Sequence, residues 1–161
     1  MAQPAGIRYR ERLWPSFGVW FGTVFVLMMI DVAVGAGLGI PTGIAVSILT
    51  AVTAGYWLVS ASPIIAVSDS EITAGRAHIS LGYIDNVRAL TSAEARNATG
   101  RDADGLTYLI TRGWVTSAVR FDITDDADPT PDWIVSTRRP QELAAALEQA
   151  RRDATAGRTA G

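Results

Sequence analysis

Apolar residues are arranged in two ways along this chain. Over residues 13–66 they form two nearly continuous runs, and from residue 64 onward they alternate with polar residues in short segments. The first run reaches Gly39 with Asp31 as its one charged member, and the second begins at Ile44. A helix rises about 1.5 Å per residue and a bilayer's hydrocarbon core is about 30 Å thick, so about 20 residues cross it. The pattern predicts two membrane-spanning helices, over residues 14–37 and 44–66. Between them, Leu38-Gly39-Ile40-Pro41-Thr42-Gly43 supplies one proline and two glycines for a turn. Residues 13–66 therefore read as an antiparallel transmembrane hairpin. A cleaved signal peptide fits poorly, because the first run is too long and leads directly into a second.

The alternating part predicts a small antiparallel sheet. Strands are expected over residues 64–67, 71–74, 76–81 and 83–90, then a short helix within 91–99. Arg101-Asp102-Ala103-Asp104-Gly105 reads as a turn. Residues 106–111 and 114–124 read as a hairpin bending at Arg112-Gly113, with Val119, Phe121 and Ile123 on one face. A loop over 125–132 leads to a last strand over 133–137. Pro140 then opens a helix that places Leu143, Leu147 and Ala150 on one side. The expected organisation is an N-terminal cytoplasmic segment (1–12), the hairpin (13–66), a cytoplasmic domain (67–152) and a disordered tail (153–161). The fold class is an α+β membrane protein: a two-helix transmembrane hairpin followed by a small antiparallel β-sheet or partly open barrel, closed by a C-terminal helix.

Charge orients this arrangement. All fourteen basic residues are arginines, and none lies in the apolar runs. Arg8, Arg10 and Arg12 precede the first span while the turn carries no charge, which predicts both termini on the cytoplasmic side of the inner membrane. Trp14, Phe17 and Trp20, with Tyr56 and Trp57, would form the aromatic belt of that leaflet. The net charge of −2 gives no reason to expect nucleic acid.

Small residues at four-residue spacing, Gly18 and Gly22 on the first helix and Ser47, Ala51 and Gly55 on the second, are expected to form the packing ridge of the hairpin. Gly35 and Gly39 offer a similar ridge for a homo-oligomer. Asp31 is costly within a span, and Thr50 or Ser47 is placed at a depth to hydrogen-bond it. The second span offers no ionisable residue, so a self-contained proton or ion pathway is not expected.

Catalytic chemistry is not readable. There is no cysteine, and the single histidine, His78, sits on the polar face of a predicted strand. The acidic run Asp122, Asp125, Asp126, Asp128 and Asp132 lacks calcium-loop spacing and reads as a solvated loop. No enzyme activity, cofactor or metal is expected. Arg138 and Arg139, like the three N-terminal arginines, are candidate contacts for lipid headgroups or a protein partner.

Two resemblances add to this reading. The order of a membrane hairpin, several strands and a terminal amphipathic helix resembles the bacterial PH-like membrane proteins; Val67-Ser-Asp-Ser-Glu-Ile72 and Ile84-Asp-Asn-Val87 resemble their first strands, and the passage from Trp133 to Pro140 their final strand-to-helix junction. Over nearly the whole chain, Tyr9-Arg-Glu-Arg-Leu-Trp14, Arg112-Gly-Trp-Val115, Ala118-Val-Arg120, Asp128-Pro-Thr-Pro131 and Trp133-Ile-Val-Ser-Thr-Arg-Arg-Pro140 are similar to an actinobacterial family of small alanine-rich membrane proteins of unknown function. That resemblance implies no activity and no catalytic residues. The expected role is a non-enzymatic inner-membrane module presenting a PH-like domain to a protein partner or to lipid headgroups. The alternative is an accessory subunit of a transporter or envelope enzyme, with Asp31 completing an intramembrane polar site.

Overall fold

The structure is a computed structural model and describes residues 6–100, 105–125 and 128–159. The chain divides into two compact units, Trp14–Ser62 and the remainder.

The first unit is a pair of helices, α1 (Phe17–Leu38) and α2 (Ile40–Ser60). Their connection is shorter than the expected six-residue turn. Gly39 alone separates them, at φ +92°, a backbone conformation that glycine adopts without steric cost. Pro41 occupies the first turn of α2, where its missing N–H leaves no helical bond unmade. The second helix stops at Ser60 and not at residue 66, because Pro63 cannot extend it and residues Ile64–Val67 are a strand. Both helices are predominantly apolar and leave Phe17, Phe21, Ile48 and Leu49 exposed. Each is long and apolar enough to cross a membrane.

The expected packing ridge is displaced toward the turn. A one-residue connection sets Gly35 level with Gly43, each four residues from Gly39, and there the two backbones are in close contact: a Cβ built on Gly43 would lie 2.9 Å from Gly35 Cα. Gly22 and Gly55 face open space, Gly18 meets only the Ser16 hydroxyl, and Ala51 lines a groove described below. Gly35 and Gly39, the expected oligomer ridge, are used within the hairpin as its close contact and its connection.

The second unit is built on two four-stranded sheets. In the first, β1 (Tyr9–Arg12), β2 (Ile64–Val67), β3 (Glu71–Ala74) and β4 (Ala77–Ser80) lie in sequence order, all antiparallel. The expected N-terminal segment is thus a strand of the domain. Tyr9 stands opposite Val67 and Arg12 opposite Ile64, and Leu13 N–H donates to Pro63 O at 3.0 Å. The helical pair is therefore an insertion into a β-hairpin, with its entry and exit held side by side.

A short 3-10 turn, Leu81–Tyr83, leads to β5 (Ile84–Leu90), and then come α3 (Ser92–Thr99), β6 (Tyr108–Ile110), β7 (Ala118–Ile123), β8 (Asp132–Ser136) and α4 (Pro140–Thr159). The second sheet has the order β5-β7-β8-β6. This corrects the expected hairpin of the two segments flanking Arg112-Gly113. They are separated by β8, which pairs antiparallel with β7 and parallel with β6. Every residue of β8 is buried, as befits a central strand. The sheets do not close into a barrel.

Leu143, Leu147 and Ala150 of α4 are fully buried among Ile65, Ile72, Phe121 and Val135. The helix continues to Thr159, through most of the tail expected to be disordered. Arg151 holds it to Asp85 at 2.6 Å, and Asp153 is paired with Arg8. The expected turn at residues 101–104 lies outside the described residues.

Candidate functional site

Three of the segments singled out in the sequence come together at the end of the domain where the helical pair is inserted. Glu11 points inward from β1 and is 6% exposed. Its carboxylate accepts from the Thr137 hydroxyl at 2.5 Å, the Tyr9 hydroxyl at 2.8 Å and the Arg138 backbone N–H at 3.1 Å. Three donors are what a buried carboxylate needs in place of water. The Arg139 guanidinium lies over the Tyr9 ring, 5.5 Å from its centre, and pairs with Glu142. From the third segment, Trp114 Nε1 donates to Leu13 O at 3.2 Å, and Ser117 Oγ donates to Thr137 O at 2.7 Å. Strand β1, the β8–α4 junction and the loop before β7 are thereby joined around one carboxylate.

The five candidate contact arginines are mostly engaged. Arg8 Nε bonds Asp69 at 2.6 Å while its Nη1 meets Asp153, and Gly6 N–H adds a bond to Asp69. The Arg8 and Gly6 bonds hold the Asp69 carboxyl below its usual range, and Arg8 is correspondingly raised by Asp153 and Asp69. Arg139 is occupied as described, and Arg12 and Arg138 have contacts of their own. Arg10 points outward from β1 with no partner among the described residues.

In the helical unit, the carboxylate Oδ1 of Asp31 is buried and has no hydrogen-bond partner among the described residues. The expected bond from Thr50 or Ser47 is absent. Ser47 donates to Gly43 O and Thr50 to Val46 O, both at 2.9 Å, because a hydroxyl within a helix reaches the carbonyl four residues back more easily than a neighbouring helix. Asp31 lies in a groove of about 540 Å³ between the helices, with Leu27, Met28, Ile44, Ser47 and Ala51.

A family described as a protein of unknown function, DUF3093, matches residues 8–147 of the chain. The chain belongs to this family. No curated protein and no solved structure matches it.

Other candidates in this DUF3093 chain have structural occupations. His78 is exposed on β4. The acidic run is dispersed: Asp122 accepts from Asn86 Nδ2, Asp128 bonds Thr130 N–H, and Asp132 is a buried member of β8, 2.7 Å from Arg120 Nε and from the Thr107 hydroxyl. Asp126 lies outside the described residues. The solvated loop expected over 125–132 thus ends in a buried aspartate paired with a partly exposed arginine. Sequence reasoning missed Tyr9, Glu11 and Thr137 as a group, although the segments that hold them carried the family resemblance.

The buried hub makes the domain sensitive to alkali. Burial pushes the Tyr9 phenol up to about 12, with the Glu11 carboxylate adding to the shift and Thr137 opposing it. In the unfolded chain a tyrosine ionises near pH 10, so the Tyr9 contribution is complete below about pH 10 and is lost as pH rises to about 12. Unfolding midpoints measured across that window are expected to fall more steeply for the wild type than for Tyr9→Phe. Parallel curves would contradict this assignment.

Proposed function

We propose that this DUF3093 protein is a non-enzymatic binding module, anchored in the cell membrane by α1 and α2, whose domain faces the cytoplasm and binds a protein partner at that surface. The observation that carries this reading is the insertion of two long, predominantly apolar helices between neighbouring strands β1 and β2. A soluble chain leaving so much apolar surface exposed would aggregate. Because entry and exit are hydrogen-bonded neighbours, the polypeptide on both sides of the helical pair lies on one side of the bilayer. Arg8, Arg10 and Arg12 beside the entry, against an uncharged turn, favour the cytoplasmic side. Exposed Trp14, Phe17, Tyr56 and Trp57 suit the interface at that end.

The PH-like character of the domain belongs to the same proposal. It is supported by the antiparallel β1–β4 meander, the second sheet and the terminal helix, and it departs from the expected pattern in its parallel β6 and open sheets. Of the five candidate contact arginines, Arg10 is the one best placed to meet lipid headgroups, since it has no partner among the described residues.

A second reading is favoured by the unpartnered Asp31 oxygen: the helical pair docks on a larger membrane protein that supplies a hydrogen-bond donor. Both readings are tested in native membranes. The chain has no cysteine, so single cysteines at Thr42 and Arg76 report topology cleanly. An impermeant maleimide added to intact cells is expected to label the first and spare the second; labelling in the opposite sense overturns the orientation. Isolation in mild detergent is expected to recover a reproducible partner, and none across repeats would remove the binding-module reading. Loss of that partner in both Asp31→Asn and Asp31→Ala supports intramembrane docking, whereas retention in both assigns the contact to the domain.

A further inference from the structure

We infer that the cleft between α3 and the loop joining β6 to β7 is a binding site for a phosphate monoester. Its chemistry is a surplus of donors. The cavity, about 280 Å³, is bounded by Ser92 and Arg96 from α3, by Thr111 and Thr116 from the loop region, and by Ser136 from β8. Arg96 offers its whole guanidinium, because no ion pair or hydrogen bond occupies that group among the described residues. The Thr111 hydroxyl is likewise uncommitted. Ser136, 2% exposed, accepts at Oγ from Arg112 N–H at 3.3 Å and so keeps its own hydrogen for a further acceptor. Ser92 and Thr116 share one hydrogen between their oxygens at 2.9 Å, which leaves the other free to donate.

Among the described residues no carboxylate lines the cleft, and Arg112, whose Nη1 donates to Thr111 O at 2.9 Å, also borders it. A group that matches these donors must be rich in acceptors and negatively charged, and arginine with clustered hydroxyls suits phosphate oxygens. Ala95, Val115 and Ala118 supply an apolar floor. The volume holds a phosphate with a short organic substituent and is small for a nucleotide. The oxyanion chemistry is the same for a soluble phosphorylated metabolite and for the headgroup of phosphatidic acid.

Gly113 provides a variant that adds bulk at the cleft lining without touching its charges. Gly113 borders the cleft and a Cβ there meets nothing within 4 Å, so the position accommodates a leucine without a clash at its Cβ. The experiment titrates inorganic phosphate and phenyl phosphate into the full chain held in phosphatidylcholine nanodiscs, with binding read by calorimetry. Saturable binding of phenyl phosphate is expected, weakened about tenfold in Arg96→Gln by loss of the charge-assisted bonds. It is expected to be lost in Gly113→Leu. Discs containing phosphatidic acid that suppress phenyl phosphate binding identify the lipid as the source, and unchanged binding identifies a soluble ligand. Absence of saturable binding to either phosphate probe, with no difference between the two disc compositions, overturns the site. Equal affinity in wild type and both variants overturns it as well.

Discussion

Replacing Glu11 with alanine is expected to destabilise the domain by about 3 kcal/mol, because buried donors lose a charged acceptor worth roughly 1.5–3 kcal/mol per bond. The Tyr9 and Thr137 hydroxyls, 3.2 Å apart, retain one another, but the Arg138 N–H is left with no acceptor in the hub. For a domain of about a hundred residues the loss corresponds to a fall in midpoint on the order of 10 °C. Glu11→Gln keeps an acceptor carbonyl and is expected to cost less than half as much. The measurement is thermal unfolding of the full chain in detergent, followed by the far-ultraviolet signal of the sheets. A change within about 0.5 kcal/mol for the alanine variant would remove Glu11 from its assigned role. Thr137→Val combined with Glu11→Ala should be clearly less than additive, since the two residues share one network.

The second large effect is expected at Gly43. A leucine there would drive its Cβ to within 2.9 Å of the Gly35 backbone, and backbone cannot rotate aside as a flexible side chain can. The helices must part at this contact, at an expected cost of about 2 kcal/mol. Gly22→Leu is the internal control. It adds bulk to open space and is expected to change stability by no more than about 0.5 kcal/mol. Helical signal followed through detergent-induced unfolding separates the two, and equal effects would show that Gly43 is not the contact that holds the hairpin.

The candidate sites were legible to different degrees. Asp31 was visible at once, because one acid in a run of apolar residues is conspicuous whatever the fold. The direction of its neighbours' hydroxyls was not, since Ser47 and Thr50 choose between their own helix and another only when both are in place. The arginines of β1 were visible as charge, but the pairing of Arg8 with Asp69 and Asp153 depends on a loop and a terminal helix far along the chain. The phosphate cleft left no local sequence signal, because its hydroxyls and arginines come from α3, the β6–β7 loop and β8.

The parts that the amino-acid order determined by itself were those with a strong local period or an unbroken composition: two apolar helices, the alternating strands β2 to β5, and the buried stripe of α4. Their burial preference repeats every turn or every second residue, so a short window carries it. Tertiary structure alone decided the rest. Strand β1 was hidden because one of its inward residues is a glutamate, whose burial becomes favourable only beside Thr137, 126 residues later in the chain. The place of β8 between β7 and β6 was hidden because backbone hydrogen bonds carry no record of which strand will form them. The close contact of the helices moved to Gly35 and Gly43 because a single glycine sufficed for the connection, and that register follows from the backbone geometry of Gly39 and not from the spacing of small residues.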